Sequence, residues 1–150
     1  MIEPEGAEPI REALKAIKEA DAIVMGPGSL YTSIISNLLV KRIRIGIRRS
    51  DAIKIYISNI MTQPGESDDF AVSDHLAEIK KYGGKDIVDY VIANTGEISD
   101  ELKEKYLQDG AELVKLDRED INSLGVKIVG ENLVKIKDGF IPPLIPGCRR

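Results

Sequence analysis

Ala20-Asp21-Ala22-Ile23-Val24-Met25-Gly26-Pro27-Gly28-Ser29-Leu30-Tyr31-Thr32-Ser33 decides the fold class. Ala22-Ile23-Val24-Met25 is a short apolar run, which predicts a buried strand. Gly26-Pro27-Gly28 ends it in a tight turn, and a helical stretch follows from Ser29 towards Leu39. A strand that feeds a glycine turn and then a helix is the repeating unit of an α/β protein.

The same alternation extends in both directions. Upstream, Pro9 suits a helix start, and Ile10, Ala13, Leu14 and Ile17 recur at helical spacing. Downstream, the basic stretch Lys41 to Arg49 fits a further helix. Ile53-Lys54-Ile55-Tyr56-Ile57 alternates and is rich in β-branched residues, which predicts a strand. A polar loop, Ser58 to Val72, leads to a helix capped by Ser73, running through Tyr82 and stopped by Gly83-Gly84. Strands are predicted at Ile87 to Ala93, Glu112 to Leu116, Val126 to Val129 and Leu133 to Ile136. Between them, Ser99 caps a helix from Asp100 to Gln108, closed by Gly110. Asp117 with Asp120 resembles a capping box for a short helix ending at Gly125. This order argues for a mostly parallel sheet with helices on both faces, in a single α/β domain spanning 1–150. The segment 139–150 holds three prolines in five residues and is expected to be an irregular tail.

Composition narrows the function classes. The chain of 150 residues is 43% hydrophobic and 31% charged, the balance of a soluble globular protein with a real core. No apolar run approaches the ~18–20 residues that cross a bilayer, and the acidic start lacks signal-peptide character. A net charge of −4 gives no general attraction to nucleic acid or an anionic membrane. The absence of Trp removes the best base-stacking residue. The single cysteine, Cys148, cannot form an intrachain disulfide, and a cytoplasmic location is expected.

In a parallel sheet, ligands gather beyond the carboxyl ends of the strands. Three loops are expected there: Gly26 to Ser33, Asn59 to Asp74, and Asn94 to Ser99. In the first, glycines let a phosphate approach the backbone, and Ser29, Thr32 and Ser33 add hydroxyls. It is neither a Walker A loop nor a dinucleotide fingerprint, and a plain β–α turn remains an open alternative. In the second, Asn59 and Gln63 offer both donors and acceptors to a base or sugar. Glu66, Asp68 and Asp69 are candidates to hold Mg²⁺ beside a phosphate, while Asp68 and Asp69 taken alone read first as a solvated acidic turn. His75, the only histidine, is expected to be neutral near a helix start and mainly structural. No Gly-x-Ser-x-Gly elbow supports a hydrolase, so no catalytic residue and no protein metal site is assigned. The basic cluster Lys41-Arg42, Arg44 and Arg48-Arg49 is read first as a solvated helix or partner surface.

The sequence from Ala20 to Ser33, followed by Asn37-Leu38-Leu39-Val40, resembles the gluconeogenesis factor (YvcK-like) family, related to the 2-phospho-L-lactate transferases (CofD-like). Tyr56-Ile57-Ser58-Asn59-Ile60-Met61-Thr62-Gln63-Pro64-Gly65-Glu66 with Ser73-Asp74-His75 resembles its second block, and Asp89 to Asn94 with Ile98-Ser99 a third. The resemblance covers roughly Ala7 to Lys137. It implies a Rossmann-like three-layer sandwich and a phosphorylated ligand, a UDP-N-acetylglucosamine-type nucleotide sugar, in a regulatory protein of carbon metabolism, cell-wall precursor supply and cell shape. It assigns ligand binding to Gly26, Gly28, Ser29, Leu30, Tyr31, Thr32, Asn59, Met61, Thr62 and Gln63. Mg²⁺ accompanying a nucleotide is the only cofactor it brings. The related branch implies the alternative, a Mg²⁺-dependent transferase of a lactyl-phosphoryl group. The family's Gly-Gly-Gly-Thr-Gly loop and Asp-Asp-Gly-Gly-Ser-type segment do not occur in this sequence. The chain is therefore expected to match only the C-terminal half of a full member. A truncated, inactive half-domain would expose apolar surface, so a homo-oligomer is the further expectation.

Overall fold

The computed structural model describes residues 7–134, so the strand expected at Leu133 to Ile136 and the tail at 139–150 lie partly or wholly outside them. Leu133 and Val134 themselves are not strand. Four strands, β1 (Ala22–Met25), β2 (Ile53–Ile57), β3 (Tyr90–Asn94) and β4 (Lys127–Glu131), form one parallel sheet in chain order. The register places Met25 beside Tyr56, Tyr56 beside Val91, and Val91 beside Ile128. The α/β class with a parallel sheet is as the sequence predicts. Helix α1 (Arg11–Glu19) precedes β1, and α3 (Lys41–Arg49) follows a helical run made of a π-helix, Leu30–Ile35, and α2 (Ser36–Leu39). Helix α4 (Val72–Gly83) links β2 to β3, while α5 (Asp100–Gln108) and α6 (Arg118–Ser123) lie between β3 and β4.

The core lies on one side of the sheet. Met25, Tyr56, Val91 and Ala93 pack with Leu30, Ile34, Leu38, Ile47, Leu76, Ile79 and Ile121 from the helices. The alternate strand positions stay outside that cluster: Val24 is 54% exposed, Ile53 49% and Val129 37%. The strand order explains this. Each crossover steps the same way along the sheet, and right-handed connections in one direction deliver their helices to one face.

Several local expectations need correction. Glu112 to Leu116 is not a strand of the sheet: Leu113 makes an isolated antiparallel bridge to Met61, flanked by the Thr62 amide donating to the Glu112 carbonyl and the Val114 amide donating to the Ile60 carbonyl. It pairs with the loop after β2, which has no edge of the main sheet to offer. Ile87 and Val88 are buried but precede β3, which starts at Tyr90. Ser73 does not cap α4. The N-cap is Ala71, whose amide donates to Asp74 Oδ2 at 2.8 Å. Asp117 makes no side-chain cap for α6 because its carboxylate accepts from the Ser73 amide and hydroxyl instead. Ser99 does cap α5, accepting from the Leu102 amide. Gly84, with φ +100°, ends α4.

Lys54 is buried in β2, yet its ammonium has partners: it donates to the carbonyls of Ser50 and Ala52 at 3.0 and 3.1 Å. The basic face of α3 is also occupied. Arg42 pairs with Glu8 at 2.8 Å, and Arg44 donates to the Tyr82 carbonyl at the end of α4. That end of α4 is opposite the loops leaving the strands' carboxyl ends, so the cluster does not face them.

Candidate functional site

The first two loops meet through side chains. At the end of β1, Gly26 takes φ +82° and the Gly26–Pro27 peptide is cis. Asn59, just beyond β2, locks the next glycine from both sides: its Oδ1 accepts from the Gly28 amide at 3.2 Å, and its Nδ2 donates to the Gly28 carbonyl at 3.1 Å. Ser29 then caps the helical run, its Oγ accepting from the Thr32 amide and hydroxyl. The same hydroxyl donates to Glu66 Oε1, which also accepts from the Tyr31 amide at 3.1 Å. Two donors of the glycine loop are therefore already turned onto a carboxylate, the geometry by which such loops hold anions.

Gly26, Gly28, Ser29, Tyr31, Thr32 and Asn59 thus form one cluster at the carboxyl edge. The other assigned residues play different parts. Leu30 is 1% exposed, so its side chain belongs to the core and only its backbone is near the loop surface. Met61 makes the bridge to Leu113. Thr62 is buried, and its Oγ1 accepts from the Glu112 amide at 2.9 Å. The Gln63 amide donates to Ser67 Oγ, which shapes the turn. Tyr31 also points its hydroxyl at Glu78 Oε2, 3.3 Å away. Burial, then the Glu78 charge, raises its phenol above the usual range.

Glu66, Asp68 and Asp69 do not converge on a cation. Glu66 faces Ser29, while Asp68 Oδ2 accepts from the Gly65 amide at 2.8 Å. Among the described residues no group of three or more His, Cys, Asp or Glu side chains could hold a metal ion. The three carboxylates therefore do not gather into one cluster.

Beneath the loops lies a buried polar pair. Tyr56 and His75 are both fully buried, with the Tyr56 hydroxyl 2.9 Å from His75 Nδ1 and Phe70 packed on the imidazole. Burial pushes the Tyr56 phenol far up, and a hydrogen bond with Ser58 opposes it. Burial also lowers the His75 pKa from 6.5, against the opposing charges of Asp74 and Glu66. His75 is therefore neutral as the sequence suggests, but through burial more than through the helix start. Folded His75 resists a proton that the unfolded chain accepts, so stability is lost as pH falls below 6.5. Unfolding measured from about pH 7.5 to 5 should show that loss, and His75→Gln should flatten it.

The third loop closes on itself. Asn94 Oδ1 accepts from the amides of Gly96 and Leu133, and its Nδ2 donates to the Gly96 carbonyl. An open groove runs between Asn94, Thr95 and Gly96 on one side and 113–116 on the other. Glu66 escaped assignment as a loop partner because its reach to Ser29 spans 37 residues. Only its place in the second block, opposite a glycine turn, hinted at it.

Residues 1–134 match the family model described as "2-phospho-L-lactate transferase CofD". The chain belongs to the CofD family. Within that family it resembles proteins named gluconeogenesis factor. A putative gluconeogenesis factor of Clostridium acetobutylicum is 53% identical over 140 residues, covering 93% of this chain and 31% of that protein. The gluconeogenesis factor of Bacillus subtilis is 38% identical over 138 residues, covering 92% and 44%. A crystal structure of a UPF0052-family protein from Bacillus halodurans superposes with a TM-score of 0.90 at 43% identity, over 95% of this chain and 46% of that one. This CofD-family chain therefore spans less than half the length of these relatives. No helix of the described residues is long and apolar enough to cross a membrane.

Proposed function

We propose that this CofD-family chain contributes to a nucleotide-sugar site, of UDP-N-acetylglucosamine type, in a regulatory rather than catalytic protein of the gluconeogenesis factor group. Roles in carbon metabolism, cell-wall precursor supply and cell shape belong to the same proposal. The observation that carries it is the glycine loop whose Ser29 hydroxyl and Tyr31 amide already donate to a carboxylate. Donors so arranged suit a diphosphate, and Asn59 fixes the loop that presents them. The names of the relatives support the group.

Calorimetry with UDP-N-acetylglucosamine, with Mg²⁺ present and guanosine diphosphate as control, tests it. The expected result is saturable binding that prefers the uridine ligand. Asn59→Ala releases both polar groups of Gly28 and should weaken that binding by about tenfold. Equal affinity in wild type and variant would remove Asn59 from the site. The description of the matching family model favours a second reading, a transferase of phosphorylated lactate. Release of nucleotide from a guanosine diphospho-lactate donor, with a deazaflavin acceptor, would establish that reading and displace the first.

A further inference from the structure

We propose that Glu66 is a built-in competitor for the glycine loop: its carboxylate holds the donors that a ligand phosphate takes, and a phosphorylated ligand binds by displacing it. This rests on the reading of that loop as a phosphate site and adds the residue that sets its affinity.

The turn carrying Glu66 is built to deliver it. The Gln63 carbonyl accepts from the amides of Glu66 and Ser67 at 3.0 and 2.9 Å. Ser67, 1% exposed, returns a bond by accepting the Gln63 amide on its Oγ. Gly65 takes φ +77° beside it, and its amide is held by Asp68. A side chain on so constrained a turn is aimed, and it lands on Ser29 and Tyr31, on the far side of β2 in sequence. Gln63 Oε1, on the Glu66 turn, and His75 Nε2, beneath the loops, are buried atoms with no hydrogen-bond partner among the described residues.

A carboxylate and a phosphate cannot share the same two donors, because two anions at hydrogen-bonding range repel each other. Glu66 is half-buried rather than buried, so its side chain can leave towards water. While seated, it keeps the Ser29 and Tyr31 donors satisfied in the absence of ligand. The site is thus held in its binding geometry, and weak anions are turned away.

Glu66→Gln keeps an oxygen that accepts from both donors and removes the charge. Glu66→Asp keeps the charge and shortens the reach by one methylene. The test is calorimetry of wild type and both variants with two probes, UDP and inorganic phosphate, beside thermal unfolding of each. The Tyr31 amide resonance reports directly on who holds that donor. Glu66→Gln should bind UDP about tenfold more tightly than wild type, with Glu66→Asp between them. In wild type, UDP should move the Tyr31 amide resonance, and Glu66→Gln alone should move it before ligand is added. Preference for UDP over phosphate assigns the donors to a nucleotide, and equal preference to a free phosphate; displacement holds in both. If wild type binds UDP and a folded Glu66→Gln binds it no better, the competitor role is overturned and the phosphate-site reading stands. If none of the three proteins binds either probe, both fall together.

Discussion

Gly26→Ala is expected to destabilise the chain by about 2–4 kcal/mol, about twice the effect of the same change at Gly125. Both glycines have positive φ, +82° and +72°, so alanine pays a similar backbone strain at each. They differ in what a methyl group meets. At Gly125 nothing lies within 4 Å, whereas at Gly26 a Cβ would sit 2.6 Å from the Ile57 carbonyl oxygen. That neighbour is backbone at the end of β2, so it cannot swing aside. Tyr56 and Ile34 close the remaining directions at 3.4 and 3.5 Å. Relief requires β1 and β2 to separate at their carboxyl ends, where Asn59 fastens the glycine loop. Ligand affinity should therefore fall with stability, even at temperatures where the variant is folded. Denaturant unfolding of the two variants beside wild type checks this. Equal losses at Gly26 and Gly125 would show that β2 does not approach the turn so closely.

The turn at Gly26 was legible in the sequence, and the reason is local. A run of four apolar residues ending in Gly-Pro-Gly has few other conformations open to it. Ser99 and Gly84 were legible for the same reason, since a cap or a stop acts within one turn of its own helix. Legibility failed where a side chain serves a distant partner. Ser73 and Asp117 each look like a helix cap in sequence, yet they bond each other across 44 residues. Residues 112–116 have strand composition, but the pairing goes to Met61 in a loop rather than to the sheet.

The facing of β2 is the clearest case. The alternation of Ile53, Ile55 and Ile57 with Lys54 and Tyr56 predicts the strand without assigning its faces. In the fold, Lys54 and Tyr56 are the buried positions of β2, Tyr56 within the core, while Ile53 is 49% exposed and Ile55 and Ile57 are half-buried. Alternation reports period, not direction, and direction is set by which face the crossovers cover. The polar members of the buried face are tolerated because each has partners. Lys54 has two carbonyls, and Tyr56 has His75 and Ser58. The site shows the same division. Its glycine turn was readable from local sequence, but the carboxylate seated on that turn comes from a separate one.

Leu76→Ala is expected to cost about 2–5 kcal/mol, while Leu107→Ala stays within about 0.5 kcal/mol. Leu76 lies in the middle of α4 on the stripe formed by Val72, Leu76, Ile79 and Gly83, all of them buried. It is 0% exposed, against 57% for Leu107 on α5. Removing its branched end leaves a void that α4 cannot easily close. The helix is tied at its start by the Ala71–Asp74 and Ser73–Asp117 bonds. At its end, Gly83 sits so near Ile87 that an added Cβ would fall 2.7 Å from Cγ1. A helix held at both ends and in that little room keeps its cavity, which places the loss towards the upper half of the range. Any affinity at the proposed nucleotide site, measured well below the unfolding midpoint, should change only through the folded fraction, because Leu76 belongs to the core. Thermal and denaturant unfolding decide it. A cost below about 1 kcal/mol would mean that α4 slides to fill the gap, and its two tethers would then not be holding it.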